Sequence, residues 1–193
     1  MLRFARNDNR EMELFLTKQG DTFEWRQPEP RARQYELLRQ GELFGTLEFR
    51  NAFGSLAWST DPVQRWTFKR VGFFSPHVTV RMPDSESDYA VFEPRLLGGG
   101  ALHTPDGRPI TWEPLNFWRT QWRFADKNGN SILHYQLGSE DFKLKEIFKL
   151  QAEMVVETSR ITNLEFSMLV NLGFYLMALY AVDAAVAATA AAA

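Results

Sequence analysis

The chain has 193 residues and a formal net charge of −2, from 22 Lys plus Arg against 24 Asp plus Glu. That length suits one domain with one core, and the charge balance excludes the electrostatic footprint of a polyanion-binding protein. With no cysteine, a disulfide framework, thiol catalysis and a zinc–thiolate site are all excluded.

The N-terminus, MLRFARNDNREMELF, lacks the apolar core of a secretory leader, so the cytoplasm is the expected compartment. QPEPRAR at 27–33 is a Pro-rich break and is assigned to a loop. From there the chain alternates apolar and polar residues in short segments. Leu43, Gly45, Leu47 and Phe49 oppose Phe44, Thr46 and Glu48. Trp66 and Phe68 oppose Arg65, Thr67 and Lys69. Val78, Val80 and Met82 oppose His77, Thr79 and Arg81. Trp118, Trp122 and Phe124 oppose Arg119, Gln121 and Arg123. Leu133, Tyr135 and Leu137 form another such face. Phe142, Leu144, Phe148 and Leu150 are set against Lys143, Lys145 and Lys149. Period two with one apolar face predicts half-buried antiparallel strands. Asp126-Lys-Asn-Gly129 predicts a hairpin, while Pro105-Asp-Gly107 and Gly98-Gly-Gly100 predict further turns. About a dozen strands fit residues 12–160, which implies a sandwich or a barrel.

The tail decides between them. Phe166–Val182 carries no charge, and as a helix over 164–188 it is apolar all round, with an Ala-rich end at 189–193. Such a helix must be buried on every side or lie in lipid. A helix with its side chains is ~10–12 Å wide, so a barrel of about twelve strands has a lumen to hold it. The expected fold is therefore a closed, mainly β, antiparallel barrel of about twelve strands around a central C-terminal helix, all in one domain. A lipocalin-like barrel would pack its helix outside and give it a polar face, which this one lacks. The competing expectation is a tail anchor, with residues 166–182 in a bilayer. Inside a barrel, Ser167 and Asn171 would find inward partners, Gly173 would permit close approach to a strand, and Asp183 would sit at the mouth or need a partner.

Trp118–Leu137, WRTQWRFADKNGNSILHYQL, and the tail at 169–182, LVNLGFYLMALYAV, resemble the tubby C-terminal-like superfamily. That group includes tubby domains, phospholipid scramblases and LURP-one-related proteins. The Trp-x-Phe, the Asp-x-x-Gly hairpin, the apolar strand and the final apolar helix follow in that group's order. The resemblance covers residues 35–182, and the length is most similar to that of small bacterial-type members. It implies a barrel of about twelve strands threaded by a helix. It also implies phosphoinositide headgroup binding, as in tubby domains, or the membrane and calcium association of scramblases. The scramblase Cys-rich palmitoylated stretch, Pro-rich N-terminus and acidic calcium segment have no counterpart in this chain.

Chemistry is sparse. His77, His103 and His134 form no metal-ligand spacing. Gly98-Gly-Gly100 is followed by no Lys-Ser/Thr, so it is a turn rather than a phosphate loop. Asp126–Asn130 lacks the glutamate that closes a calcium loop, since residue 137 is leucine. No catalytic, cofactor or metal residues are assigned. The six tryptophans are expected mainly in the core, and nucleic acid is not an expected partner because tryptophan and arginine parities oppose each other at 118–123. The remaining candidates are cations on outward faces: Lys143, Lys145, Lys149, Arg119, Arg123, Arg65 and Lys69. On neighbouring strands these would form a patch for anionic headgroups. The expected function is a non-enzymatic binding or adaptor module for anionic lipid or a protein partner. The alternatives are the tail anchor, and a small-ligand carrier or enzyme with a scattered site.

Overall fold

The structure is a computed structural model that describes residues 17–30, 32–51, 54–96, 98–138, 150–158 and 160–191. Its strands are β1 (Thr22–Arg26), β2 (Gln34–Arg39), β3 (Glu42–Phe49), β4 (Ala57–Thr60), β5 (Arg65–Val71) and β6 (His77–Arg81). They continue as β7 (Ala90–Pro94), β8 (Gly100–His103), β9 (Ile110–Pro114), β10 (Gln121–Ala125), β11 (Ser131–Leu137) and β12 (Ala152–Val156). One helix, α1 (Asn163–Ala191), follows. Each strand pairs antiparallel with its sequence neighbours, and β1 pairs with β12 to close the barrel. Closure removes every sheet edge.

Turn chemistry sets the hairpins. Gln40 and Gly41 both have positive φ, the two-residue turn whose twist matches the flanking strands. At the β10–β11 hairpin the Asp126 carboxylate accepts the Asn128 and Asn130 backbone N–H groups, and Gly129 takes the left-handed position. The Asn130 side-chain amide, which donates to Asp126 Oδ2 at 3.0 Å, together with these backbone bonds holds the Asp126 carboxyl below its ordinary pKa.

Inward parity follows the alternation for Trp66 and Phe68, Val78 and Val80, Trp122 and Phe124, and Leu133 and Tyr135, all buried. Two expectations are corrected. Phe44 is buried and Leu43 is 62% exposed, the reverse of a continuous period of two. The register opposes Leu37 to Gly45 but Leu38 to Leu43, so Phe44 is an extra residue in a β-bulge that turns it inward. Trp118 is 79% exposed, because β10 begins only at Gln121 and residues 115–120 form the β9–β10 loop. Trp25, Trp66, Trp112 and Trp122 are core residues, whereas Trp58 and Trp118 are not. The strand expected around Phe142–Leu150 lies almost wholly outside the described residues.

Helix α1 runs inside the barrel. Thr162 begins it: its hydroxyl accepts the Glu165 N–H and its carbonyl accepts the Phe166 N–H, an N-cap with glutamate at the third position. Glu165 through Leu179 are buried without interruption, roughly 22 Å of helix at 1.5 Å per residue. By length and composition α1 is apolar enough to cross a membrane, but the inner wall of the barrel solvates it instead. Trp25 stacks on Phe174 at 4.4 Å, and Phe49 and Phe68 stack on Tyr175 at 5.4 and 5.2 Å. These offset contacts add to the apolar burial.

Three polar side chains set the depth of the helix. Ser167 Oγ and Asn171 Nδ2 each donate to Asp61 Oδ2 at 2.7 Å, and Trp66 Nε1 donates to Ser167 Oγ at 2.8 Å. Asp61 Oδ1 accepts the Val63 and Gln64 backbone N–H groups. A one-turn slide of α1 would separate these groups and bury them unpaired. Asp61→Asn places an amide donor against those donors, so a loss of about 1–3 kcal/mol in stability by urea denaturation is expected. An unchanged midpoint would mean the cluster does not hold the helix.

Candidate functional site

In an up-and-down barrel the hairpins alternate between two ends, and α1 gives the ends different character. At the entrance end lie the β2–β3, β4–β5, β6–β7, β8–β9 and β10–β11 turns and the link into α1. Its acids include Asp21, Glu42, Asp84, Glu86, Asp88, Asp106, Asp126, Glu157 and Glu165; its cations include Lys18, Arg39, Arg81, Arg108, Lys127 and Arg160, with Arg39 paired to Asp21 and Arg81 to Asp88. A cleft of about 680 Å³ opens at this end, floored by Ile110, Ile132 and half-buried Ile161. Its charges serve the fold. Arg108 bridges Asp106 and Glu165, tying the β8–β9 turn to the first turn of α1. Hydrogen bonds from Thr104 and Arg108 hold Asp106 down to about 2. Among the described residues, no group of three or more His, Cys, Asp or Glu could hold a metal.

The exit end is different. Tyr175 donates to the Ser55 carbonyl at 2.6 Å, Tyr180 stacks on Trp122 at 5.2 Å, and Arg70 grips Asp183 through two hydrogen bonds of 2.6 and 3.1 Å. Asp183 thus finds its partner at the mouth. Beyond it, Ala184–Ala190 project uncharged and exposed. Around the emerging helix, three hairpin tips present bare apolar side chains. Phe73 and Phe74 on the β5–β6 tip are 91% and 96% exposed; Leu96 on the β7–β8 tip is fully exposed; Phe117 on the β9–β10 tip is 89% exposed beside Trp118. Cations accompany them. Arg50, Arg95 and Arg119 are exposed in loops at this end, where Glu29 is the acidic loop residue among those described.

Of the seven cations proposed from the sequence, the four that are described do not form one surface. Arg65 and Lys69 lie exposed on the outer face of β5. Arg123 lies on β10, five strands away around a ring of twelve, and is ion-paired to Glu113 at 2.6 Å. Arg119 is not on a strand: it has φ of 54° in the β9–β10 loop, with its guanidinium 3.4 Å from where a Cβ on Gly98 would stand. Lys143, Lys145 and Lys149 lie outside the described residues. Of the seven, Arg119 sits beside the exposed aromatic tips. Alternation along the strands gives no sign of the tips themselves. Their signal is the breakdown of period two inside a turn: two adjacent phenylalanines between Gly72 and Ser75-Pro76, and Leu96 ahead of the glycines at 98–100.

Burial of the exit-end phenols has a consequence for pH. Desolvation pushes Tyr180 up to about 12 and raises Tyr35, Tyr135 and Tyr175 as well. In the unfolded chain these phenols ionise near pH ~10. Their native pKa values are higher, so their contribution is intact below about pH 10 and is lost as pH rises toward 12. The urea midpoint should hold from neutrality to about pH 10 and then fall, with most of the tyrosinate absorbance appearing together with unfolding and half-exposed Tyr89 ionising first.

The chain matches no family model, no curated protein and no solved structure in comparisons with each.

Proposed function

We propose that this chain is a non-enzymatic, tubby-like binding module that docks end-on against anionic membrane surfaces, on the cytoplasmic side, through the barrel end from which α1 emerges. One observation carries the reading: the large apolar side chains left bare on hairpin tips are concentrated at that end. Soluble monomers rarely leave such a cluster without a use. Aromatic side chains at loop tips suit the headgroup boundary, where the ring is half in hydrocarbon. Each Phe or Trp taken from water contributes roughly 1.5–3 kcal/mol, and each arginine near an anionic surface adds about 1 kcal/mol.

The charge arrangement supports the same orientation. The acidic entrance end faces away from the lipid, and the arginines of the exit end face toward it. The net charge of −2 conceals this separation. The docking surface differs from the strand-face patch expected from sequence; of the described residues of that patch, it keeps Arg119.

The test is co-sedimentation of full-length protein with vesicles of phosphatidylserine and phosphatidylcholine, against phosphatidylcholine alone. Binding should require the anionic lipid and weaken with salt. The pair Phe117→Ser and Trp118→Ser should weaken it by at least tenfold. Arg95→Gln should weaken it about fivefold, while Lys127→Gln at the opposite end should not. Failure to bind at low salt, or equal loss from changes at both ends, would remove the proposal and leave a protein partner as the reading of the patch.

A further inference from the structure

Helix α1 continues past the barrel mouth. Arg70 holds Asp183 there through two hydrogen bonds, and the helix runs on to Ala191. No charged residue follows Asp183. Ala184–Ala190 are all exposed, Val186 to 61%. At 1.5 Å per residue this segment reaches roughly 10 Å beyond the last charge.

Three features of the segment suit hydrocarbon better than water. A helix end in water is commonly supported by ion pairs four residues apart and by cations in the last turn, where the macrodipole is negative. This segment has no charge to make such pairs, and the last turn of α1 holds no basic residue. Its single polar side chain is Thr189, whose hydroxyl donates to the Ala185 carbonyl at 2.9 Å. The segment's side chains therefore leave no hydrogen-bond donor that lipid would strand. Its direction is also fixed. Ser167 and Asn171 tie α1 to Asp61 inside the barrel, and Arg70 ties Asp183 at the mouth. The protruding turns thus continue the barrel's central helix outward, at the end that carries Phe73, Phe74, Leu96, Phe117 and Trp118.

We infer that Ala184–Ala190 enter the upper acyl region of one leaflet when the exit end docks, with the Arg70–Asp183 pair left at the level of the headgroups. The inference rests on the docking orientation proposed above and goes further. The aromatic tips lie in the boundary layer, whereas the helix passes through it. The reach of the segment matches the ~5–10 Å to which interfacial helices bury their apolar faces. It falls far short of the ~20 residues that span a bilayer, so the module stays on one side. The longer apolar stretch, Glu165–Leu179, remains inside the barrel.

The test places a dye on the protruding helix of the full-length protein. The chain has no cysteine, so Ala187→Cys gives one site for a nitrobenzoxadiazole label, and Asn128→Cys gives a control at the opposite end. On vesicles of phosphatidylserine and phosphatidylcholine, the label at 187 should shift to the blue. It should lose its quenching by iodide and be quenched by lipids spin-labelled near the top of the acyl chain. The label at 128 should do none of these. Without any dye, the neutral pair Val186→Gln and Ala187→Gln should weaken co-sedimentation at least fivefold while Tm and near-UV circular dichroism stay those of the parent. Using glutamine keeps repulsion by the anionic lipid out of the comparison. If the parent sediments with vesicles and the Phe117→Ser and Trp118→Ser pair does not, docking by the tips stands. In that case an unshifted, iodide-quenched label at 187, or a folded glutamine pair that sediments like the parent, overturns the inference alone. A parent that does not sediment overturns both.

Discussion

Deleting residues 164–193 should leave no folded barrel. Met168, Leu169, Val170, Leu172, Phe174, Leu176, Met177 and Leu179 are each at most 5% exposed, held within the lumen. At roughly 1.5–3 kcal/mol per buried side chain, these residues contribute on the order of 10–20 kcal/mol. A domain of ordinary stability has only about 5–15 kcal/mol in total. The wall loses as much as the helix does, because Trp25, Phe49 and Phe68 then face an empty lumen. The expected result is an insoluble or molten chain, with no near-UV signal and no cooperative melting. A shorter deletion, 184–193, removes exposed alanine-rich helix and keeps Asp183 on Arg70, so its melting should stay close to that of the full chain. A soluble, cooperatively melting barrel without 164–193 would show that the β wall closes on its own and that α1 is not the centre of the core.

The second large effect is expected at Gly173. A Cβ built there would stand 2.5 Å from the Tyr135 hydroxyl and 2.6 Å from the adjoining ring carbon. Tyr135 is fully buried, and its hydroxyl donates to the Leu169 carbonyl at 2.9 Å. The ring cannot swing into water to make room. Gly173→Ala should therefore cost about 2–4 kcal/mol, as overpacking adds to the loss of a buried hydrogen bond, even though alanine is the better helix former by about 1 kcal/mol. In a Tyr135→Leu background the penalty of Gly173→Ala should shrink or reverse, because the obstructing hydroxyl is gone. Urea midpoints of the four proteins form a double-mutant cycle. Additive losses would place the strain elsewhere than between these two residues.

Much of the architecture was legible because period-two alternation needs only one buried face, which each strand shows by itself. Trp66 with Phe68, and Leu133 with Tyr135, declared their orientation in this way. The apolar helix declared its need for burial, since no face of it suits water. What failed at residue level failed where the chain departs from regular pairing. The bulge at Phe44 depends on the register between β2 and β3. Trp118 sits in a loop whose length depends on where β10 begins pairing.

The candidate site was less legible. Arg65 and Arg123 look equivalent in sequence, as outward cations on amphipathic strands. Only closure of the barrel places them on opposite sides and supplies Glu113 to neutralise the second. The exposed tips need the same closure to be seen as one surface. Phe73, Leu96 and Phe117 lie on three separate hairpins, and only alternation of hairpins between two ends gathers them around the helix exit.

By itself, then, the sequence determined that many half-buried strands must enclose one helix with no polar face. That follows from the hydrophobic effect acting on local periodicity, which any short stretch of the chain reports. The tertiary structure decided the rest: that Asp61 meets Ser167 and Asn171, that Arg70 meets Asp183, and that one end of the barrel is acidic while the other carries bare aromatics and arginines. These pairings join residues scores of positions apart. Their geometry comes from strand order, register and the depth of the helix, none of which is a local property of the chain.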